Sequence, residues 1–430
     1  MMGRVHELWD APTAARPLDA RVSVPGSKSL TNRALVVAAL AGGPTTLRRP
    51  LVARDTCLMV DALRALGIGV DDHGPDRDWQ VTPAPLRAPA EVDCGLAGTV
   101  MRFVPPVAAL APGPVRLDGD PRARERPLGA LLDALRSLGV EVRDGGGGLL
   151  PVTVVGTGRV RGGTVDVDAG ASSQFVSALL LAGCRYEEGL VVRDVGARLP
   201  SRPHVAMTTA MLTARGVAVQ QPDEQTWLVP PAVPAGGTVE VEPDASNALP
   251  FLAAALATAG RVGVTGFPSG SGLQPVGALR ELLEAFGGSV SQDDGALVVD
   301  GSGGLRGAGD LDLSEVGELV PVVAALAALA PGPTTLHGVA HLRGHETDRL
   351  AALATELGGL GADIRQTDDG LAIRPARLHG GVFATYDDHR LATAAALVGL
   401  AVPGVQVVDV ATTGKTLPDF VERWQRMLAA

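Results

Sequence analysis

Aromatic side chains are scarce in this chain: Phe, Trp and Tyr make up 3% of its 430 residues, although 46% of the residues are hydrophobic. The apolar interior must therefore be built mainly from Ala, Val and Leu, which suits closely packed helices and buried strands. A chain of this length exceeds one ordinary hydrophobic core, so the sequence predicts two domains.

Cysteine is also scarce. The three cysteines, Cys57, Cys94 and Cys184, are scattered along the chain and form no C-x-x-C pair. This pattern indicates neither a disulfide framework nor a cysteine-based zinc site. We therefore expect no bound metal.

A positive net charge and long apolar runs are missing as well. The formal net charge is −10, which argues against a general nucleic-acid-binding protein. No apolar run reaches the ~18 to 20 residues of a bilayer-spanning helix, and residues 1–10 lack the apolar h-region of a secretory signal. We expect a soluble, cytoplasmic protein that binds neither nucleic acid nor membrane.

What the chain does contain is a sixfold repeat. Short strands recur whose leading glycines lie 70 to 76 residues apart, namely Gly43, Gly113, Gly189, Gly260, Gly332 and Gly404. An Ala-, Leu- and Val-rich segment before each strand predicts a helix at residues 31–41, 99–111, 173–182, 246–259, 317–330 and 388–402. Most copies then contain a second helix that ends at Gly, the residue expected after a helix C-terminus.

These copies predict two similar α/β domains of three copies each. A break near Pro243 falls between copies three and four. The predicted domain 1 is residues 1–25 with 243–430, and the predicted domain 2 is residues 26–242. A strand predicted at residues 22–24 precedes copy one and is expected to complete domain 1.

Residues 25–33 predict a loop that feeds a helix. Pro25 and Gly26 make a turn, and hydroxyl side chains suited to an N-cap follow together with Lys28 and Arg33. Backbone N–H groups and the positive dipole end of such a helix suit a phosphate or a carboxylate. The spacing of a Walker phosphate loop is absent. The alternative at this point is a well-capped surface helix with two solvated cations.

Every predicted Ala-rich helix begins with polar side chains that can bind anions or carry out acid–base chemistry. In chain order they are Lys28, Ser29 and Arg33; Gly98, Thr99 and Arg102; Ser172, Ser173 and Gln174; Asp244, Ser246 and Asn247; Glu315 and Glu318; and Asp387, Asp388, His389 and Arg390. If three helices in each domain direct their N-termini at a shared cleft, their positive dipole ends add.

Further cations lie outside these helix starts. They are Arg122, Arg124 and Arg126 in one segment, His345 and Arg349 beside Glu346 in another, and Lys415 near the C-terminus. For each cation alone, a surface salt bridge is the competing interpretation. An acidic protein that collects cations on turns indicates a small, strongly anionic substrate.

Seven motifs in chain order resemble those of the EPSP synthase family, the 3-phosphoshikimate 1-carboxyvinyltransferases, and the match runs from about residue 22 to 427. The motifs are Pro-Gly-Ser-Lys-Ser at 25–29 with Asn32 and Arg33, Ala-Gly-Thr at 97–99 with Arg102, Glu-Arg-Pro at 125–127, Ser-Ser-Gln at 172–174, Glu-Thr-Asp-Arg at 346–349, Tyr-Asp-Asp-His-Arg at 386–390, and Lys415 with Thr416.

The resemblance implies a fold of two inverse α/β domains, each of three βαβαββ repeats, that close on the substrates. It implies transfer of the enolpyruvyl group of phosphoenolpyruvate to the 5-hydroxyl of shikimate 3-phosphate, with release of phosphate, on the route to chorismate and the aromatic amino acids. It further implies a glyphosate target, a monomer and no organic cofactor. Both substrates carry a phosphate and a carboxylate, which agrees with the collected cations.

Matched position by position, the resemblance also implies individual roles. Residues implied to bind shikimate 3-phosphate are Lys28, Ser29, Arg33, Ser172, Ser173, Ser201, Glu318 and His345. Those implied to bind phosphoenolpyruvate are Lys28, Gly98, Arg126, Gln174, Arg349, Arg390 and Lys415. Catalytic roles fall to Glu318 as the base for the 5-hydroxyl, to Glu346 with Lys415 as the proton-shuttling side, and to Lys28, with support from Thr99, Arg102 and His389.

The sequence departs from the common family pattern at four positions. Glu318 stands where Asp is frequent, and His345 stands where many members have Lys. Leu96 replaces a common Asn, and His204 replaces a common Tyr. These residues resemble an actinobacterial-type subset. His345 either binds substrate as a cation or donates one hydrogen bond as a neutral imidazole.

Two alternative functions remain at this point. The related UDP-N-acetylglucosamine enolpyruvyl transferases share the fold and the donor, but use a reactive Cys on a mobile loop and a Lys-Asn pair near the start. Here the comparable segment, residues 122–126, has no Cys, and Lys28 is followed by Ser29. The second alternative, an inactive anion-binding or regulatory protein, is disfavoured by the presence of Glu318, Glu346 and Lys415.

Overall fold

The structure is a computed structural model that describes residues 7–72, 78–268 and 272–430. Its backbone divides into unit 1, Met1–Pro25 with Glu242–Ala430, and unit 2, Gly26–Val241. The predicted domains differ from these units only in the assignment of Glu242. Residues 1–6 of predicted domain 1 lie outside the described residues, whereas every predicted site residue lies inside them.

The described residues contain twenty-three strands and twelve α-helices. The strands are β1 (Leu8–Asp10), β2 (Asp19–Ser23), β3 (Thr45–Arg48), β4 (Gly69–Asp71), β5 (Trp79–Thr82), β6 (Ala90–Asp93), β7 (Pro114–Asp118), β8 (Glu141–Arg143), β9 (Val152–Val155), β10 (Gly163–Val167), β11 (Leu190–Asp194), β12 (Gln220–Asp223), β13 (Thr226–Val229), β14 (Gly237–Glu240), β15 (Arg261–Thr265), β16 (Ser289–Asp293), β17 (Ala296–Asp300), β18 (Gly309–Asp312), β19 (Thr334–His337), β20 (Asp363–Gln366), β21 (Leu371–Arg374), β22 (Gly381–Phe383) and β23 (Val405–Val408). The helices are α1 (Lys28–Ala39), α2 (Arg54–Ala65), α3 (Gly98–Ala108), α4 (Gly129–Ser137), α5 (Gln174–Gly183), α6 (Arg202–Thr213), α7 (Ala245–Ala257), α8 (Val276–Ala285), α9 (Val320–Leu329), α10 (Arg349–Gly359), α11 (His389–Ala401) and α12 (Phe420–Ala429).

Copies two, three and five each fold as one continuous βαβαββ unit. In copy two, β6 and β7 pair in parallel around α3, and β9 and β8 then add in antiparallel fashion, giving the order β6-β7-β9-β8. Copies three and five have the same pattern, β10-β11-β13-β12 and β18-β19-β21-β20. A helical crossover between parallel strands followed by a hairpin explains why each copy carries two helices.

Copies one, four and six take a strand from a distant part of their own unit. Copy one receives β14, which pairs in parallel with β3. Copy four receives β2, which pairs in parallel with β15, so the strand predicted at residues 22–24 lies at Asp19–Ser23 and completes unit 1. In copy six, β1 pairs with β23 beside β22.

The six predicted Ala-rich helices are confirmed to within three residues at each end. Helices α1, α3 and α5 contact one another in unit 2, and α7, α9 and α11 do so in unit 1. These inner helices are buried on nearly all faces, because Ala, Val and Leu allow close packing where aromatic residues are few. The outer helices are amphipathic, as in α12, where Phe420, Trp424 and Met427 are buried.

The few aromatic residues of unit 1 concentrate where α12 packs on α7. The ring of Trp424 lies 5.4 Å from that of Phe251 and 5.3 Å from that of Phe420, measured between centroids. Trp424 is fully buried, and its indole N–H donates to no described residue. The contribution of Trp424 therefore comes from packing alone.

We expect Trp424→Ala to lower the free energy of unfolding by about 3–5 kcal/mol, because it opens a large cavity in a packed core. Trp424→Phe should cost clearly less, since it keeps a ring and loses no hydrogen bond. Urea unfolding followed by far-ultraviolet circular dichroism measures both. Equal losses in the two variants would contradict a contribution from packing alone.

Candidate active site

In unit 2 the first turns of the three inner helices meet. Asn32 of α1 donates from Nδ2 to Thr99 Oγ1 of α3 at 2.6 Å. Arg102 of α3 donates from Nη1 to Gln174 Oε1 of α5 at 3.1 Å. The N-termini therefore lie side by side, and their positive dipole ends add at one place.

Lys28 begins α1 directly after Ser27, the N-cap residue. Its Nζ lies 3.3 Å from Oδ2 of the buried Asp55, at the start of α2. The side chain of Lys28 retains 18% of its exposure. The ammonium group is thus anchored on a buried carboxylate, while part of the Lys28 side chain is exposed.

Arg33 is 1% exposed and connects three helices of unit 2. Its Nε donates to Thr208 Oγ1 at 2.7 Å, and its Nη2 donates to Ser177 Oγ at 3.2 Å and to the His204 carbonyl at 3.1 Å. Its Nη1 donates to the carbonyl of Ser29, and the guanidinium lies 5.1 Å from the ring centroid of Phe103. These contacts use Nε, Nη1 and Nη2, so Arg33 also has a structural role.

Gly98 begins α3 beneath two buried guanidinium groups. A Cβ placed on Gly98 would lie 2.9 Å from Arg102 Nη1 and 3.1 Å from Arg126 Nη2. The guanidinium of Arg102 also lies 5.6 Å from the ring centroid of Phe175. Because Gly98 has no side chain, both cations approach the backbone N–H groups at the start of α3.

Arg126 has few protein contacts for a buried cation. It is 6% exposed, and its hydrogen bond within the described chain runs from Nη1 to the Leu96 carbonyl at 3.4 Å. Its Nε donates to no described residue, and no described carboxylate forms an ion pair with it. A buried guanidinium without a carboxylate is costly, so this position favours a bound anion.

The remaining unit 2 candidates surround the same helix starts. Ser173 is the N-cap residue of α5 and is buried, and Ser172 Oγ accepts from the Gln174 N–H at 3.3 Å. Ser201 is the N-cap residue of α6 with a left-handed φ of 52°. Non-glycine residues in this conformation are held there by their surroundings, often at functional sites.

In unit 1 the candidate residues form a buried network of alternating charge. Lys415 Nζ contacts Glu346 Oε1, and Arg349 Nη2 donates to Glu346 Oε2 at 3.0 Å. Arg349 Nε donates to Asp388 Oδ2 at 2.7 Å. Burial opposes the charge of Arg349, but the carboxylates of Asp388 and Glu346 outweigh it and raise the pKa of Arg349. Glu346 thus lies between two cations.

Arg390 is held differently from Arg349. Its Nη2 donates to Ser246 Oγ at 2.8 Å, and Ser246 in turn donates to Asp244 Oδ1 at 2.6 Å. Burial, followed by the like charge of Arg349, lowers the pKa of Arg390. An anion bound beside Arg349 and Arg390 would relieve this repulsion.

His345 and Glu318 lie near the same cations. Nδ1 of His345 lies 3.0 Å from Arg349 Nη1. Because a guanidinium only donates hydrogen bonds, Nδ1 is the acceptor in this contact, and the same Nδ1 lies 3.9 Å from Glu346 Oε2. Glu318 lies in a 3-10 turn, Gly317–Leu319, before α9, and its charge acts on both Arg349 and Arg390.

His389 begins α11 after the N-cap residue Asp388 and is 2% exposed. The two residues before Asp388, Tyr386 and Asp387, have left-handed φ values of 52° and 57°. Asp409, before the 3-10 turn Val410–Lys415, also has a φ of 52°. Backbone strain therefore precedes the segments that carry Arg390 and Lys415.

Burial should make the thiols of this chain poor nucleophiles. It raises the pKa of Cys94 and of Cys184 to about 12, and it raises the pKa of the half-buried Cys57. We expect iodoacetamide at pH 8 to alkylate Cys94 and Cys184 only after denaturation and to leave activity intact. Mass spectrometry and an activity assay measure this, and rapid inactivation would instead indicate an essential thiol.

Neither a metal-binding cluster nor a membrane-spanning helix occurs among the described residues. Within residues 7–72, 78–268 and 272–430, no group of three or more His, Cys, Asp or Glu side chains is arranged to hold a metal ion. None of the helices described there combines the length and apolarity that crossing a membrane requires.

Several residues of these networks were not singled out by the sequence motifs. Asp55, Ser177 and Thr208 orient Lys28 or Arg33. Asp388 lies in the motif at 386–390 and Ser246 at a predicted helix start, but the sequence does not indicate that they hold Arg349 and Arg390. The sequence signal for Asp388 is its N-cap position before α11. The contacts of Asp55, Ser177, Thr208 and Ser246 depend on tertiary packing and have no local sequence signal.

Comparisons with known proteins agree with the motifs. The family model described as EPSP synthase (3-phosphoshikimate 1-carboxyvinyltransferase) matches residues 12–424. A 3-phosphoshikimate 1-carboxyvinyltransferase of Kocuria rhizophila is 55% identical over 434 aligned positions, which cover 99% of this chain and 97% of the relative.

Solved structures agree as well. An EPSP synthase from Acinetobacter baumannii superposes with a TM-score of 0.81 at 25% identity, with 98% of each chain covered. The enolpyruvyl transferase NikO from Streptomyces tendae has a TM-score of 0.75 at 20% identity, also with 98% of each chain covered. The second similarity concerns the fold alone.

Proposed function

This chain belongs to the EPSP synthase family, and on that premise we propose how its residues serve the family's reaction. The enzyme transfers the enolpyruvyl group of phosphoenolpyruvate to the 5-hydroxyl of shikimate 3-phosphate, giving 5-enolpyruvylshikimate 3-phosphate and phosphate. This reaction belongs to the shikimate pathway. The predicted family, fold class and enzyme class are confirmed by the comparisons.

The observation that carries the residue assignment is the buried, carboxylate-free guanidinium of Arg126 beside Gly98 and Arg102. An arginine fork pairs at two points with a phosphate or a carboxylate. We therefore assign phosphoenolpyruvate binding to the predicted set Lys28, Gly98, Arg126, Gln174, Arg349, Arg390 and Lys415. Thr99, Arg102 and His389 support these residues.

Shikimate 3-phosphate carries a phosphate, a carboxylate and hydroxyl groups, which match the second predicted set. That set is Lys28, Ser29, Arg33, Ser172, Ser173, Ser201, Glu318 and His345. Arg33 would add a buried positive charge and hold Ser29 and the start of α6 in place. His345 would contribute through its other ring nitrogen, because Arg349 occupies its Nδ1.

Three proton transfers are required. Glu318 accepts the proton of the 5-hydroxyl as that oxygen attacks C2 of phosphoenolpyruvate, and a proton is delivered to the methylene carbon. Lys415 and Glu346, which are in direct contact, supply this second proton. The Lys415 and Glu346 pair then takes a proton back from the resulting methyl group as the bond between C2 and the phosphate oxygen breaks, which restores the carbon–carbon double bond and gives the enol ether product.

Phosphate release after mixing the two substrates tests the function. Purified protein should release phosphate only when both phosphoenolpyruvate and shikimate 3-phosphate are present. Release with UDP-N-acetylglucosamine in place of shikimate 3-phosphate would favour the related transferase. Binding without release would favour the inactive anion-binding protein.

We further propose that the enzyme works in the cytoplasm as a monomer, without metal or organic cofactor and without a nucleic-acid or membrane partner. The family resemblance supports this proposal. Light scattering after gel filtration should give a mass near the 43.9 kDa of one chain. Twice that mass would contradict the monomer.

A further inference from the structure

Asn247 and Thr416 are joined by two hydrogen bonds although 169 residues separate them in the chain. Asn247 Nδ2 donates to the Thr416 carbonyl at 3.0 Å, and Thr416 Oγ1 donates to Asn247 Oδ1 at 3.2 Å. Both residues are nearly fully buried, at 4% and 2% exposure. Thr416 thus engages both the N–H donor and the oxygen acceptor of the Asn247 amide, which fixes both side chains.

Thr416 directly follows Lys415, which ends the 3-10 turn Val410–Lys415 and contacts Glu346. The backbone N–H groups of Thr416 and Leu417 donate to Thr413, within the same turn. Short 3-10 turns have poor hydrogen-bond geometry. The bonds to Asn247 instead tie this turn to the first turn of α7, a long buried helix.

The same turn of α7 also serves Arg390. Asp244 caps the helix by accepting from the Asn247 N–H at 2.9 Å and from the Ser246 hydroxyl. Ser246 accepts from Arg390, and Asn247 holds the residue after Lys415. One helical turn therefore sets the positions of both cations.

We propose that Asn247 is a positioning residue that places the Lys415 ammonium for proton delivery, acting through Thr416. The proposal rests on the proposed function, because it assigns Lys415 to that reaction. Neither Asn247 nor Thr416 has to touch a substrate. A shift of the turn by about 1 Å would move the Lys415 ammonium away from the reacting carbon, at a cost of about 100-fold in rate.

Thr416→Val tests the proposal, because it removes one hydroxyl at nearly constant volume. We expect kcat for phosphate release to fall about 10- to 100-fold, with little change in KM for shikimate 3-phosphate. Thr416→Ser, which keeps the hydroxyl, should restore most of the activity. Thr334→Val is the matched control, since Thr334 is also buried in unit 1 and accepts from the Ala308 N–H at 3.0 Å.

Asn247→Asp provides a second variant if Thr416→Val folds poorly. It keeps an acceptor for the Thr416 hydroxyl but places an oxygen against the Thr416 carbonyl, so it should lower kcat by a similar factor. The double variant, with Thr416→Val and Asn247→Asp, should have a kcat no lower than that of the worse single variant. Both changes break the same contact between Asn247 and Thr416.

The outcomes distinguish the positioning role of Asn247 from the proposed function of the enzyme. Equal kcat in Thr416→Val and Thr334→Val, or independent losses in the double variant, would overturn the positioning role while the function stands. Absence of phosphate release by the wild-type enzyme would overturn the function itself.

Discussion

Replacing Glu346 by Gln should lower kcat about 100-fold or more, because proton transfer by a positioned group contributes about 10²- to 10⁴-fold. The amide has nearly the same shape as the carboxylate but carries neither its charge nor its titrating proton. It would leave Lys415 without the carboxylate that it contacts, whereas Arg349 would keep Asp388. Phosphate release under saturating substrates measures the effect.

Glu356→Gln is the control for this change. Glu356 lies in α10 and accepts from the Ala384 N–H at 2.8 Å and from the Tyr386 hydroxyl at 2.6 Å. It shares the carboxylate chemistry of Glu346 and makes no contact with Lys415 among the described residues. Equal, small losses in both variants would remove Glu346 from the proton-transfer step.

Gly98→Ala should raise the inhibition constant for glyphosate about 10- to 100-fold, the range for one extra methyl group in a pocket, and raise KM for phosphoenolpyruvate less. The added Cβ would lie about 3 Å from both guanidinium groups, which must then move apart or away. Glyphosate has one more bond than phosphoenolpyruvate between its carboxylate carbon and its phosphorus. It therefore tolerates a shortened anion site less well.

Initial-rate kinetics with each ligand separate the two effects. Gly43→Ala is the matched control in the same unit, because a Cβ at Gly43 would meet no atom within 4 Å. It should change neither constant. Equal losses of affinity for glyphosate and phosphoenolpyruvate in Gly98→Ala would refute the steric explanation.

The sequence predicted the inner helices well for a physical reason. Each inner helix combines a long Ala-rich run with a polar start, so its position follows from local pattern and capping alone. The same local logic placed Lys28, Gly98 and Arg390 at helix starts. It missed the start of α9, because residues 317–319 form a separate 3-10 turn.

Partnerships between distant residues were not predictable in this way. Arg33 with Thr208, Arg349 with Asp388 and Asn247 with Thr416 are separated by 175, 39 and 169 residues. Each pairing depends on how helices of different copies pack, and one chain carries no local signal of that packing. Family resemblance implies several candidate substrate-binding residues, and its motifs include Asp388 and Thr416, but it does not indicate which distant residue each of these two contacts.

Copies four and six take strands β2 and β1 from the start of the chain, and this affects the order in which their sheets can form during synthesis. Strand β2 pairs with β15, and β1 pairs with β23, the last of the described strands. The first 25 residues therefore leave the ribosome long before their partners exist. At about 5–20 residues per second, this interval is tens of seconds. The contiguous unit 2 is complete by residue 241. Unit 2 can therefore fold while strands β1 and β2 have no partner strands yet.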